Sequence, residues 1–323
     1  MRHRLTAAAA AFSIAFVPLL AASQDAYPDP SETIDLIIPN SAGGGTDIAA
    51  RLLAEGLEEK LGPPVVVHNL SGAGGIEAVT RIMSADPDGY TLGLVPVPMV
   101  SMYYLDPERG GDFEREKVEV VAQHDYGPLA IAVAADSPYQ TLDDVVQAAK
   151  ADPGSITSAS SSVLGAGHLS LLRLNKVAGV DLNWTAMEQQ GTALASLLGG
   201  HIDIITDTFS ELYPHAQSGD LRILAAFDEE RPAQMPDVPT AQEQGYDVVL
   251  TTTRMLIAPD GTPEEIIATV ESAVEELIAD PEYQEKATQR QVGISFRNAE
   301  DAAGVWQNID ENFGPIVAEF RKQ

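Results

Sequence analysis

Two glycine-rich stretches, Ser-Ala-Gly-Gly-Gly-Thr-Asp at 41–47 and Ser-Gly-Ala-Gly-Gly at 71–75, hold the clearest capacity for chemistry in the chain. Each stands between a short apolar run and an amphipathic segment. Glycines at a strand-to-helix turn let a ligand approach bare backbone N–H groups, and the helix that follows points its partly positive end at the same place. Two such turns on neighbouring parallel strands would aim two anion-seeking helix ends into one crevice. Neither stretch fits a nucleotide signature. A phosphate-binding loop needs Lys and then Ser or Thr after its last glycine, but Thr46-Asp47 and Ile76-Glu77 stand there; the dinucleotide pattern needs glycine where Ile48 and Glu77 stand.

Other residue types support no competing chemistry. His68, His124, His168, His201 and His215 lack ligand spacing for a metal, and no Gly-x-Ser-x-Gly elbow surrounds a serine. The acidic pairs Asp143-Asp144, Glu229-Glu230 and Glu264-Glu265 fall at helix starts or turns, where they read as caps and solvated faces. The chain has no cysteine, which removes disulfides, thiol nucleophiles and a lipid-modified cysteine. We therefore expect no catalytic constellation, no metal and no cofactor.

The elements that position the glycine loops alternate. A strand at 33–39, the first loop, a helix at 46–61, a strand at 65–69, the second loop, a helix at 76–84 and a strand at 90–96 make a βαβαβ series, which implies parallel strands. Ile48, Leu52, Leu53, Leu57 and Leu61 share one helical face, and Gly62-Pro63 ends it. Strands are expected at 118–123 and 129–135, with a crossing between them. A second series follows: helix 142–151, strand 155–159, a Ser/Gly loop, helix 169–177, strand 181–186, helix 193–198, and strands 202–206 and 221–227. A strand at 248–258, helices at 263–279 and 281–290, a strand at 294–297 and a helix at 299–320 complete the pattern. Two domains account for it, residues 27–127 with 250–323 and residues 128–249, joined by two crossings that make a hinged cleft.

Residues 1–23 read as a secretory signal peptide: Arg2 and Arg4, then an apolar run, then Ala21, Ala22 and Ser23. About 300 residues remain, enough for two domains. With 19 Lys+Arg against 48 Asp+Glu the formal net charge is −29, which makes nucleic acid and anionic membranes poor partners.

The stretches Ile-Pro-Asn-Ser-Ala-Gly-Gly-Gly-Thr-Asp-Ile-Ala-Ala-Arg at 38–51, Val-His-Asn-Leu-Ser-Gly-Ala-Gly-Gly at 67–75 and Ala-Asp-Pro-Asp-Gly-Tyr-Thr-Leu at 85–92 resemble the periplasmic solute-binding proteins of tripartite tricarboxylate transporters. Gly-Gly-His-Ile-Asp at 199–203, Gly-Asp-Leu-Arg at 219–222, Pro-Asp-Val-Pro-Thr at 236–240 and Ala-Pro-Asp-Gly-Thr-Pro at 258–263 resemble the family's later motifs in the same order. The resemblance implies an α/β, two-domain periplasmic binding protein fold of type II, each domain a mostly parallel sheet flanked by helices. It implies a non-enzymatic monomer that hands a small organic carboxylate to a membrane permease of one large and one small subunit. A protein feeding a sensor kinase, or a secreted hydrolase or lyase on the same scaffold, are the alternatives.

By position, the resemblance places one carboxylate on Asn40, Ser41, Ala42, Gly44, Gly45, Thr46 and Asp47, with Ser71 and Pro96 at its flank. Helix capping is the competing role for Thr46 and Asp47. Ser160, Ser161, Ser162, Ala166 and His168 would receive the other end, and Asp207 would face the cleft. Departures from the family pattern fall at Asn40, where an aromatic residue is common, at 185–189 around Met187, and at Arg254. Arg254 is either a bidentate clamp for a second carboxylate or one half of an interdomain salt bridge.

Overall fold

The computed structural model of the protein describes residues 27–111, 113–160, 162–187 and 192–322; the expected signal peptide, Ser161 and residues 188–189 lie outside them. The chain begins with β1 (Ile34–Ile38), α1 (Gly45–Leu61), β2 (Val65–Asn69), α2 (Ile76–Met83) and β3 (Thr91–Val97). β1 pairs in parallel with both β2 and β3, so the two glycine loops leave the same edge of the sheet. Leu52, Leu53 and Leu57 of α1 are buried, whereas Ile48 on the same expected face is exposed.

A short α3 (Met102–Leu105) leads into β4 (Val118–Ala134). The two strands expected at 118–123 and 129–135 are thus one strand of 17 residues. Gly127-Pro128 does not interrupt it, because the facing strand stays paired there through Thr252 and Thr251. Next come α4 (Leu142–Ala151), β5 (Thr157–Ser160), α5 (Ala166–Ala178), β6 (Asn183–Ala186), α6 (Thr192–Leu198), β7 (Ile204–Thr208), α7 (Phe209–Ser218) and β8 (Leu221–Phe227). Sequence patterning does not reveal α7, since Pro214 stands inside it and proline is the poorest helix former. The chain closes with β9 (Thr251–Pro259), α8 (Glu264–Ala279), α9 (Pro281–Gln289), β10 (Ile294–Arg297) and α10 (Ala299–Phe320).

The strands form a mixed sheet in the order β2-β1-β3-β9-β4-β7-β5-β6, with β8 and β10 also on β4. Pairing is parallel in the two wings, at β2-β1-β3 and β7-β5-β6, and antiparallel where β4 and β9 run. β4 serves both wings, with β9 and β10 along its first part and β7 and β8 along its last. Across the largest core cluster, Trp306, Phe313 and Val317 of α10 join Val95 and Val97 of β3 to Leu129 and Ile131 of β4. One helix therefore packs on both wings. On the opposite face α1 meets α8 and α9 closely at Gly56, where a Cβ would lie 2.7 Å from Leu277 Cδ2 and 3.0 Å from Tyr283 Cε2.

Candidate functional site

The first glycine loop is folded by the carboxylate of Asp47, which is buried. Asp47 Oδ2 accepts from the Gly43 N–H (2.9 Å) and from Arg51 Nε (3.0 Å), while Oδ1 accepts from Asn69 Nδ2 (3.0 Å) and pairs with Arg51 Nη2 (2.9 Å). The Arg51 hydrogen bond outweighs the effect of burial and holds the Asp47 carboxyl down at about 2. Asn69 Nδ2 also donates to the Asn40 carbonyl (3.0 Å), tying the end of β2 to the end of β1. Asp47 is thus saturated by the protein and shapes the loop from within. Gly43 takes a φ of +85°, open to glycine at little cost, and residues 41–45 are exposed.

Gly44 is the N-cap of α1, and no side chain caps it. Gly45, Thr46 and Asp47 precede the first intrahelical bond, from the Ile48 N–H to the Gly44 carbonyl (3.0 Å). Orphan N–H groups of this kind, at the positive end of a helix, are ready to receive an oxyanion. Directly below them lies Arg254 of β9, in register with Pro96 of β3 on one side and Asp125 of β4 on the other. Its Nη1 pairs with Asp125 Oδ1 at 2.8 Å and its Nε donates to Thr46 Oγ1 at 3.1 Å. Nη2 lies 3.0 Å from where a Cβ at Gly45 would stand, and it makes no hydrogen bond among the described residues. The Arg254 side chain is 26 % exposed against 4 % for Asp125, so the cation still reaches solvent while its counter-ion does not.

Asn40 completes this wall: among the described residues its Nδ2 makes only a long contact to Met99 Sδ (3.9 Å), and its buried Oδ1 has no partner. The second loop differs. Ser71 is exposed, the Gly74 carbonyl accepts from Tyr103 Oη (2.8 Å), and a Cβ at Gly75 would stand 2.5 Å from that hydroxyl and 2.8 Å from the Pro39 carbonyl. Desolvation pushes the Tyr103 phenol up to about 12, so it remains a donor.

The other wing carries a similar strand-to-helix turn. β5 ends at Ser160, whose buried hydroxyl accepts from Trp184 Nε1 (2.9 Å) and whose carbonyl accepts from the Met187 N–H (3.0 Å). Ser162 is exposed, and α5 begins at Ala166 after Gly165, again with no side-chain cap. His168 turns inward. Its Nδ1 accepts from the Leu164 N–H (3.0 Å), its ring stacks on Trp184 (3.6 Å, 7°) and it meets the edge of Phe320 at 5.1 Å. Burial pushes His168 down to about 4, which leaves it neutral and bracing the loop. Met187 accepts weakly from Ser196 Oγ (3.4 Å) and packs by the Ile205–Phe209 cluster. Asp207, at the end of β7, accepts from the Thr208 N–H (2.8 Å); burial, then the neighbouring Glu211 carboxylate, raise it to about 7. It is half-buried by exposed area.

Arg109, in the loop after α3, donates through Nη2 to the Val163 carbonyl before α5 (2.9 Å). Arg109 in turn follows Asp106, a fully buried carboxylate held in a fork by Arg321 Nε and Nη2 at 2.8 Å each. Asp125, Asn69, Arg109 and Trp184 were not among the residues expected from sequence. Only Arg51, four residues after Asp47, carried a local signal. Among the described residues no cluster of three or more His, Cys, Asp or Glu could hold a metal, and no helix is long and apolar enough to cross a membrane.

Comparison with known proteins gives a consistent answer. The pattern of the tripartite tricarboxylate transporter family receptor, TctC, matches residues 49–321. A UPF0065 protein from the gbd 5′ region of Cupriavidus necator is 32% identical over 307 residues, covering 94% of this chain and 90% of its own. A TctC solute-binding protein from Polaromonas, solved without ligand, superposes with a TM-score of 0.82 at 27% identity, covering 91% of this chain and 99% of its own. MatC from Rhodopseudomonas palustris, solved with bound malate, gives a TM-score of 0.71 at 26% identity, covering 90% and 100%. By fold and by sequence over most of its length, the chain belongs to the tripartite tricarboxylate transporter receptor family, TctC.

Proposed function

We propose that this protein captures a small organic carboxylate in the cleft between its two wings, in the periplasm, and delivers it as a monomer to a membrane permease of one large and one small subunit. The observation that carries the reading is the guanidinium of Arg254 beneath the uncapped start of α1, with Nη2 beside Gly45 and making no hydrogen bond among the described residues. A carboxylate there would accept from N–H groups of residues 45–47 with one oxygen and from Nη2 with the other. Each charge-assisted hydrogen bond contributes about 1.5–3 kcal/mol, so a handful with domain closure reaches the roughly −8 kcal/mol of a micromolar binder.

The positive potential is local, which reconciles anion capture with a formal net charge of −29. Ser160, Ser162 and the α5 start at Ala166 would contact the far end of the ligand, and Asp207, whose carboxyl is raised by burial and by Glu211, would face it. Residues 27–127 with 250–323 would move against 128–249, bending β4 and the approach to β9. MatC makes malate the first probe. A thermal-shift screen of mono-, di- and tricarboxylates tests the reading: an acid at 100 times its Kd adds about 2.7 kcal/mol of stability. A panel in which no organic acid raises the melting temperature would refute it.

A further inference from the structure

Arg254 is the visible end of a buried polar chain. Asp125 Oδ1 receives Arg254 Nη1 at 2.8 Å, Asp125 Oδ2 meets His124 Nδ1 at 3.1 Å, and His124 Nε2 meets the Tyr283 hydroxyl at 2.7 Å. His124, Asp125 and Tyr283 are 0, 3 and 4 % exposed. The chain runs from the glycine loop through β9 and β4 to α9. Nothing in the glycine-loop motifs predicts such an extension.

The hydrogen-bond roles follow from chemistry. An ionised carboxylate only accepts, so His124 Nδ1 carries a proton toward Asp125. Burial, and the negative charge of Asp125, keep the Tyr283 phenol above its ordinary range and therefore protonated. It donates to Nε2, which fixes the imidazole tautomer. With Nδ1–H on one oxygen, Asp125 presents its other oxygen to Nη1 in a single direction. The Thr253 hydroxyl adds a bond to the Asp125 carbonyl (2.8 Å), fixing the backbone beneath.

A guanidinium held by Nη1 and Nε in this way has one nitrogen left to aim. We infer that Asp125, His124 and Tyr283 are positioning residues for anion binding: the relay orients Nη2 of Arg254 toward the first glycine loop, so that affinity for carboxylates is set in part by α9. The inference rests on Arg254 being a ligand of the anion, as proposed above. It assigns a role in recognition to residues that touch no ligand.

The full chain, labelled with ¹⁵N, provides the test through the side-chain Nε–H resonance of Arg254, identified by its loss in Arg254→Lys. Tyr283→Phe keeps the ring that packs against Gly56 and removes only the hydroxyl. The relay predicts that this variant's Arg254 Nε–H exchanges with water markedly faster, and that Asp125→Asn does so more strongly. Affinity for malate should fall about fivefold in Tyr283→Phe, the loss of one hydrogen bond passed on to the site, with no further fall in an Arg254→Lys background. An unchanged Arg254 signal in both variants, or an equal loss of affinity in the Arg254→Lys background, overturns the inference. If the signal responds while no organic acid binds the wild type, the relay stands and the carboxylate reading falls.

Discussion

The two glycine loops follow adjacent parallel strands and leave the same edge of the sheet, yet they are built for different tasks. Both loops have exposed tips, at 41–45 and 71–74, and both following helices lack a side-chain cap, but in the first a cation waits 3.0 Å from the Cβ position of Gly45. In the second, glycine lets the backbone pack: Gly75 has a φ of +97° and is pressed between Tyr103 and Pro39. A repeated motif therefore does not mean a repeated role. What separates the loops is their partners, Arg254 for one and the Tyr103 hydroxyl for the other. Capping does not separate them, for α1, α2 and α5 all follow a glycine N-cap without a side-chain cap, whereas α4, α9 and α10 are capped by Thr141, Asp280 and Asn298.

The strongest way to break this comparison is at Arg254. Replacing it with Met strands a buried Asp125, which should cost about 3–5 kcal/mol of stability. Adding Asp125→Asn should recover most of that stability in urea denaturation, while carboxylate binding stays at least tenfold weakened. Recovery of binding along with stability would show that Arg254 serves only the fold.

Gly75→Ala should be next in size, about 2–4 kcal/mol, because the residue meets both a left-handed φ and backbone contact. Affinity per folded molecule should hardly change. Gly45→Ala should do the reverse: alanine suits a helix start, so stability should stay within about 1 kcal/mol, but its methyl crowds Nη2 and affinity should fall about tenfold. Calorimetry on the two variants, set side by side, measures the contrast between packing glycine and binding glycine.

The smallest effect extends the comparison to the opposite wall. Asp207 titrates near 7 in the fold against its ordinary 3.8, so the native state binds more protons between those values. Its contribution to stability therefore declines as pH rises through that window. The full rise would be worth about 4 kcal/mol and solvent screening of this half-buried carboxyl reduces it, so Asp207→Asn should nearly match the wild type at pH 4 and be more stable at pH 8 by about 1–2 kcal/mol. Equal melting temperatures at both pH values would contradict the assignment of a proton to this carboxyl.

Much of the fold was legible because it is local. The β1-α1-β2 unit follows from apolar spacing, from Gly62-Pro63 as a stop and from glycine at the turns, and α4 follows from its Thr141 capping box. Some features escaped: the short α3 carries no clear helical pattern, Pro214 obscured α7, and Gly127-Pro128 suggested a break in β4 that pairing with β9 overrides. The site was half legible. Position along the chain exposes Arg51 beside Asp47, but Asn69 reaches the same carboxylate from the next strand. Arg254 and Asp125 are 129 residues apart and meet only through strand register. His168 shows the limit of a motif, since it stands in the small-residue stretch expected to bind ligand while its ring faces Trp184 and Phe320.

The central claim is that the first loop and Arg254 together hold a carboxylate. A crystal structure with the tightest acid from the thermal-shift panel tests it most directly. One carboxylate oxygen should lie against the N–H groups of Gly45 to Asp47 and the other on Nη2 of Arg254, with the Asp125 pair intact. A carboxylate seated on residues 71–75, or held by α5 alone with Nη2 still unengaged, would contradict it.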